Sequence, residues 1–360
     1  MNYYKIKNKC FYFKCILIII LNIIIYDLYI SNKKCNKKVG VVGVRHEVNV
    51  GNNLIKYAIT IILEKLGYKP YIIGTHWNNF SIQFINQTTN LVIIHKNFSE
   101  IKENDYDILM VNSDQTWRKF DNYFLDYGFL RFSKNWKINK FIYGASLGYA
   151  DWQLTTSDEK AAKDLLKNFT EISVREVDSI DLVKKHFGIT PTLVLDPTLL
   201  IDKKYYLDII KDYQGNITMK NKYLFVYSVY NSEILSNAVK NASRTLNYET
   251  YYYKLNNKSS IQDFIYYIVK SEACITNSFH GTIFSIIFNK PFLTIYHSFN
   301  AKERFKSLGN LFDIKDRLIE NGKNPNYFQL IKPLNINYKL LNELKMKSIN
   351  FIKKNLGKCS

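Results

Sequence analysis

Past residue 38, apolar residues come in short unbroken runs separated by amphipathic stretches. That is the rhythm of parallel strands buried on both faces and joined by helices. Val39–Val44 reads as the first strand, Arg45–Asn49 as a polar loop, and Val50-Gly51-Asn52-Asn53 as the entry to a helix ended at Gly67. Strands follow at Tyr71–Gly74, Leu91–Ile94, Tyr106–Val111, Phe141–Tyr143, Ile172–Val174 and Thr192–Leu195, with helices predicted at Asp158–Phe169 and Ser179–Phe187. Beyond Pro197 the alternation resumes: strand Tyr223–Tyr227, helix Ser232–Leu246, strand Thr250–Tyr253, helix Ile261–Ser271. The most structured stretch is Cys274–Tyr296. It predicts a strand at Cys274–Thr276, a polar turn at Asn277–Gly281 and an apolar helix at Thr282–Phe288. A break at Asn289-Lys290-Pro291 precedes a strand at Phe292–Tyr296. Residues 302–308 read as helical with Arg304 and Ser307 on one face, and Tyr338–Asn355 as a closing amphipathic helix. The pattern predicts an α/β chain of two Rossmann-like domains, 39–200 and 201–325. A separate N-terminal extension (1–38) and a C-terminal helix and tail (326–360) flank them.

The extension differs in kind. Phe11–Ile30 is apolar and long enough to cross a bilayer as a helix, but Lys14, Asn22 and Asp27 interrupt it. A single-span anchor, an upstream extension from a misplaced start and a surface helix all fit. No small-residue cleavage site marks a removable signal. Composition changes the picture less. Hydrophobic content of 47% and charged content of 22% are globular values. The net charge of +19 invites a nucleic-acid reading, yet residues 1–38 carry +7 of it, and no basic run with interleaved aromatics stands out. Nucleic acid is set aside; a basic surface suits phosphates, carboxylates or an anionic membrane face. Of five cysteines, three lie in the extension and one in the tail, so no disulfide framework or metal cluster is expected, and a cytoplasmic setting, free or membrane-tethered, is.

Candidate chemistry gathers at predicted strand ends, where open α/β sheets bind ligands. The first helix carries Asn52 at its mouth but lacks the three-glycine dinucleotide fingerprint, which makes an oxidoreductase a poor reading. Asn112–Trp117 places Asp114, Gln115 and Trp117 after a strand, as a sugar-binding edge or a capped turn over a buried Trp. Arg175 closes a strand and suits a bidentate clamp on carboxylate or phosphate; an ion pair with Glu176 or a nearby Asp is the plainer role. In the Cys274–Tyr296 stretch, Ser278 can cap the helix, His280 sits at its mouth, and Gly281 removes a Cβ where a ligand would approach. No His/Asp/Glu cluster suited to a metal is evident.

Seven blocks together resemble the polysaccharide pyruvyl transferases: VGNNLIKYAI (50–59), NSDQTW (112–117), YGASLG (143–148), ISVRE (172–176), LDPTLL (195–200), TNSFHGTIFSIIFNKPF (276–292) and RFKSL (304–308). They span roughly residues 39–320. The resemblance implies a glycosyltransferase-B-like architecture with the site in an interdomain cleft. It also implies pyruvate transfer from phosphoenolpyruvate to sugar hydroxyls as a ketal, with no separate cofactor. His280 would be the catalytic histidine, and Arg175 the arginine of the Ser-Val-Arg-Glu block. Asn52, Asp114, Gln115, Ser278, Gly281 and Arg304 are substrate-binding candidates. The chain departs from well-studied members at Ser278, where they carry an arginine assigned to the donor; Arg304 or Lys290 are the replacements on offer. A nucleotide-sugar glycosyltransferase and a noncatalytic glycan-binding relative are the alternatives.

Overall fold

The computed structural model describes residues 35–43, 49–74, 84, 92–94, 97–149, 151–219, 221–254 and 259–358, the side chains of 92–94 and 298–301 aside. The apolar segment Phe11–Ile30 and most of the Arg45–Asn49 loop lie outside them. Among the described residues, no helix is long and apolar enough to cross a membrane.

Two sheets, both entirely parallel, organise the chain. The first contains β1 (Lys38–Val42), β2 (Lys69–Gly74), β3 (Val92–Ile94), β4 (Ile108–Val111), β5 (Asn139–Ala145), β6 (Glu171–Val174) and β7 (Thr192–Leu193). The second contains β8 (Tyr223–Tyr227), β9 (Glu249–Tyr253), β10 (Ala273–Thr276), β11 (Phe292–Tyr296) and β12 (Leu318–Glu320). Strand order is β3-β2-β1-β4-β5-β6-β7 in one and β12-β11-β10-β8-β9 in the other. Order therefore reverses between β1 and β4, and again between β8 and β10. At such switch points the following loops splay apart and leave a crevice at the strands' carboxyl ends.

The strands are buried because their runs are apolar throughout: Ile108–Val111, Tyr223–Tyr227 and Ala273–Thr276 have no exposed position. One continuous apolar cluster joins the sheets, running from Val39, Leu54 and Tyr143 through Tyr206 and Phe225 to Phe284 and Phe351. Two further clusters cover the outer faces, one around Trp117 and Phe129, the other around Val226 and Val239. The helix Tyr338–Leu356 returns to the first sheet. Phe351 packs edge-on against Phe141, and Lys354 pairs with Glu171. Ser348 Oγ accepts the Leu195 N–H at 2.9 Å. The last helix thus braces the end of the first sheet.

Boundaries moved where caps decide them. The predicted helix at Thr282–Phe288 begins three residues earlier, at Phe279, because Ser278 Oγ accepts the Gly281 N–H at 3.3 Å. His280 and Gly281 are therefore in the first helical turn, not in a preceding loop. Cys35 is disulfide-bonded, where the cysteine pattern led to the expectation of no disulfide framework, while Cys274 is a free buried thiol.

Candidate active site

The two switch points face each other, and helix Val50–Lys65 of the first sheet meets helix Phe279–Ile287 of the second between them. Asn49 Oδ1 caps the former by accepting from Gly51 N–H at 2.8 Å and Asn52 N–H at 3.3 Å. The His280 imidazole lies directly against Gly51. A Cβ there would fall under 3.0 Å from Nδ1, Cγ and Cε1, so only glycine admits this approach. Gly281 serves packing in the same way. Its missing Cβ leaves room for the Thr276 side chain, rather than for a ligand as expected from the sequence.

Arg175, at the end of β6, is the hub. Its Nε donates to Glu176 Oε1 at 3.1 Å, Nη1 to Asp196 Oδ2 at 2.7 Å, and Nη2 to Asp114 Oδ1 at 3.0 Å. Its side chain is only 1% exposed. The sequence offered an open clamp or a surface ion pair; the structure shows a buried guanidinium already shared by three carboxylates. Burial opposes its charge, but Asp114, Glu176 and Asp196 outweigh burial and hold it above the ordinary arginine range. The same balance acts in reverse on two of the acids. Burial pushes the Asp196 and Asp114 carboxyls up, yet His280 with Arg175 for the first, and Arg175 with His280 and Arg304 for the second, bring both below the usual carboxylate range. At Glu176 burial prevails over Arg175 and Arg304, so its carboxyl is raised.

Asp196 links the hub to the histidine. Oδ1 accepts from Thr198 N–H at 3.0 Å and Thr198 Oγ1 at 2.6 Å, while Oδ2, bonded to Arg175, stands 3.6 Å from His280 Nε2. Arg175 and His280 therefore meet on one carboxylate oxygen. Both are buried, and Nε2 has no hydrogen-bond partner in this structure. Two arginines lie over the Phe279 ring: the Arg175 guanidinium is 4.7 Å from its centroid and Arg304 is 5.5 Å from it. Burial, then Arg175, bring Arg304 down to about 10. Ser307, one turn on from Arg304 in the helix Ser298–Phe312, accepts the Val177 N–H at 3.1 Å and ties that helix to the end of β6.

Other candidates fall into place around this core. Asp114 adopts φ +105°, a strained conformation for a non-glycine residue, held by Ser146 N–H and Thr116 N–H donating to its carbonyl at 3.0 and 2.7 Å. Asn52 Nδ2 donates to Asp114 Oδ2 at 3.3 Å, and its buried Oδ1 has no partner. Gln115, itself buried, accepts from Arg118 Nη1 at 3.1 Å. Ser278 is the helix cap already described. Trp117 is not a sugar platform: it is 1% exposed, stacks on Phe129 at 5.3 Å and donates to Gly128 O at 3.0 Å. Lys290 cannot replace the missing arginine, because it donates to Ser271 O at 2.7 Å at the amino-terminal edge of β10, away from the site. A cavity of about 820 Å³ lined by Asn221, Lys222, Asn247 and Glu249 lies at that same edge of the second sheet. Asp196, Glu176 and Phe279 were missed as site residues. The Asp-Pro-Thr turn and the Arg-Glu pair were legible, but nothing local says that they converge. Among the described residues, no group of three or more His, Cys, Asp or Glu is arranged to hold a metal ion.

The family model for polysaccharide pyruvyl transferases matches residues 49–298, which contain Asn52, Asp114, Arg175, Asp196 and His280. The chain belongs to that family. Membership makes it a transferase of polysaccharide biosynthesis. The comparison with curated proteins finds no match. Among solved structures, UDP-GlcNAc 2-epimerase from Methanocaldococcus jannaschii is similar in fold, with TM-score 0.57 at 14% identity, over 89% of this chain and 100% of that one. The Neisseria meningitidis UDP-GlcNAc 2-epimerase bound to UDP-GlcNAc has TM-score 0.57 at 11% identity, over 89% and 99%. The S. aureus MnaA–UDP structure has TM-score 0.53 at 14% identity, over 90% and 93%. These likenesses show the fold, two Rossmann-like units in a glycosyltransferase-B-like arrangement. In this pyruvyl transferase family member, the candidate residues Arg175, Asp196 and His280 gather between the two sheets.

Proposed function

We propose that this enzyme transfers pyruvate from phosphoenolpyruvate to two hydroxyls of a sugar in a glycan precursor, with His280 as the proton-transferring residue. The observation that carries the reading is the meeting of His280, Asp196 and Arg175 at the facing ends of the two sheets, within a chain of this family. The donor is an enol phosphate. A proton added to its methylene carbon builds cationic character at the central carbon, and a sugar hydroxyl forms the first C–O bond there. The bond from that carbon to the bridging phosphate oxygen then breaks, phosphate leaves with its electron pair, and the second hydroxyl bonds to the same carbon and closes the ketal. One hydroxyl proton in effect replaces that delivered to carbon, and the other leaves with phosphate. A histidine can relay such protons, and a positioned acid or base commonly contributes about 100- to 10,000-fold.

Donor recognition differs from the family pattern at Ser278. Arg304, on the second sheet's side against Phe279, is the arginine we assign to the donor. Arg175 is committed to three carboxylates, so it offers an anionic donor no free fork. The facing amino-termini of helices Val50–Lys65 and Phe279–Ile287 add partial positive charge. The test is phosphate release from phosphoenolpyruvate with galactose- or mannose-type acceptors, beside thermal shifts with phosphoenolpyruvate and with UDP-sugars. Acceptor-dependent phosphate release supports the proposal. Stabilisation by a UDP-sugar alone would replace it with nucleotide-sugar transfer.

A further inference from the structure

We propose that Asp196 is a positioning residue that fixes the tautomer of His280, with Nε2 carrying the hydrogen and Nδ1, turned toward Gly51, as the nitrogen that moves protons. The inference rests on the pyruvyl-transfer reading for its kinetic consequence, but not for the tautomer itself.

Asp196 is unusually well anchored. The preceding residue has both backbone groups bound, Leu195 N–H to Ser348 Oγ at 2.9 Å and Leu195 O from Tyr143 Oη at 2.7 Å. The following turn is held by Tyr206 Oη donating to Thr198 O at 2.8 Å. Oδ1 is occupied by both Thr198 donors, and Arg175 holds Oδ2 in an orientation that also faces the imidazole. A carboxylate held ionised by Arg175 can only accept, so Nε2 must be a donor to profit from it. The 3.6 Å separation is slightly longer than a hydrogen bond, and catalytic contacts of this kind tighten when substrate binds. With Nε2 committed, the lone pair of neutral His280 lies on Nδ1. That nitrogen faces the backbone of Gly51, where a Cβ would overlap it. Glycine at 51 thus lets the ring seat against this helix mouth, where any side chain would displace it. Neither Asp196 nor Gly51 touches substrate in this scheme; both act through His280.

The experiment is ¹⁵N-histidine NMR of the full chain without substrate, followed by kinetics of Asp196→Asn and Asp196→Glu. Neutral His280 is expected to show the Nε2–H tautomer in the wild-type protein, and mixed tautomers in Asp196→Asn. In the phosphate-release assay, kcat should fall about 100- to 10,000-fold in Asp196→Asn with the donor KM nearly unchanged, and Asp196→Glu should recover part of it. An Nδ1–H tautomer in the wild-type protein overturns the proposal without any variant having to fold. Unchanged kcat in a folded Asp196→Asn also overturns it. Because the NMR needs no donor, absence of phosphate release would sink the proposed reaction while leaving the tautomer assignment to its own result.

Discussion

Replacing Arg175 by Met separates a structural hub from an open ligand clamp. An open clamp is unsatisfied in the free protein, so removing it would leave stability unchanged or improved. Here the change deletes three charge-assisted bonds of 3.1, 2.7 and 3.0 Å and leaves Asp114, Glu176 and Asp196 facing one another with little water. Breaking a buried pair by removing one partner costs about 3–5 kcal/mol. The three bonds share one cation, and a stranded carboxyl can take up a proton, so the loss should stay in that range rather than triple. At about 2 °C per kcal/mol for a chain of this size, Tm at pH 7 should drop by about 6–10 °C. The pH dependence has a definite sign. Asp114 and Asp196 are held below their ordinary value of 3.8, so their stabilisation is present above it and is lost as pH falls through the folded values. Without Arg175 those carboxyls rise, and Glu176, already raised, rises further. The gap between wild type and variant is then widest near pH 7 and narrows toward pH 4. The assay is thermal unfolding of both proteins across that interval. A Tm within about 2 °C of wild type at pH 7, with phosphoenolpyruvate binding abolished, would refute the hub and restore the clamp.

Two further outcomes follow from the same geometry. Arg304→Gln should raise the KM for phosphoenolpyruvate about 10- to 100-fold with a small effect on kcat, since a hydrogen bond to a charged group is worth about 1.5–3 kcal/mol; an unchanged KM would remove Arg304 from the donor site. Trp117→Ala should destabilise by about 3–5 kcal/mol as a core truncation, whereas Trp117→Phe should leave acceptor KM unchanged; a raised acceptor KM in the Phe variant would reinstate the sugar-binding edge.

The sequence made the strands legible because both faces of each are buried, so apolar runs such as Tyr223–Tyr227 stand out without any partner being known. Short helices packed into loops were not: Phe124–Phe129 and Lys203–Ile209 are too brief for a 3.6-residue period to register. At the site, the opposite limits applied. Arg175 and His280 were singled out by their positions at a strand end and a helix mouth, which are local properties. Their junction through Asp196 depends on a contact 84 residues away in sequence from His280, and Asp196 itself looked like a boundary turn before Pro197. The glycines split likewise. That Gly51 and Gly281 exist is plain from the chain, but the imidazole and the threonine that require them belong to the packed molecule.

The central claim is that His280 moves protons while pyruvate passes from phosphoenolpyruvate to a sugar. Its most direct measurement is single-turnover phosphate release from phosphoenolpyruvate in the presence of acceptor, comparing wild type with a folded His280→Ala. The account predicts release by the wild-type enzyme and a loss of about 100- to 10,000-fold in the variant. Equal rates in the two proteins would contradict it.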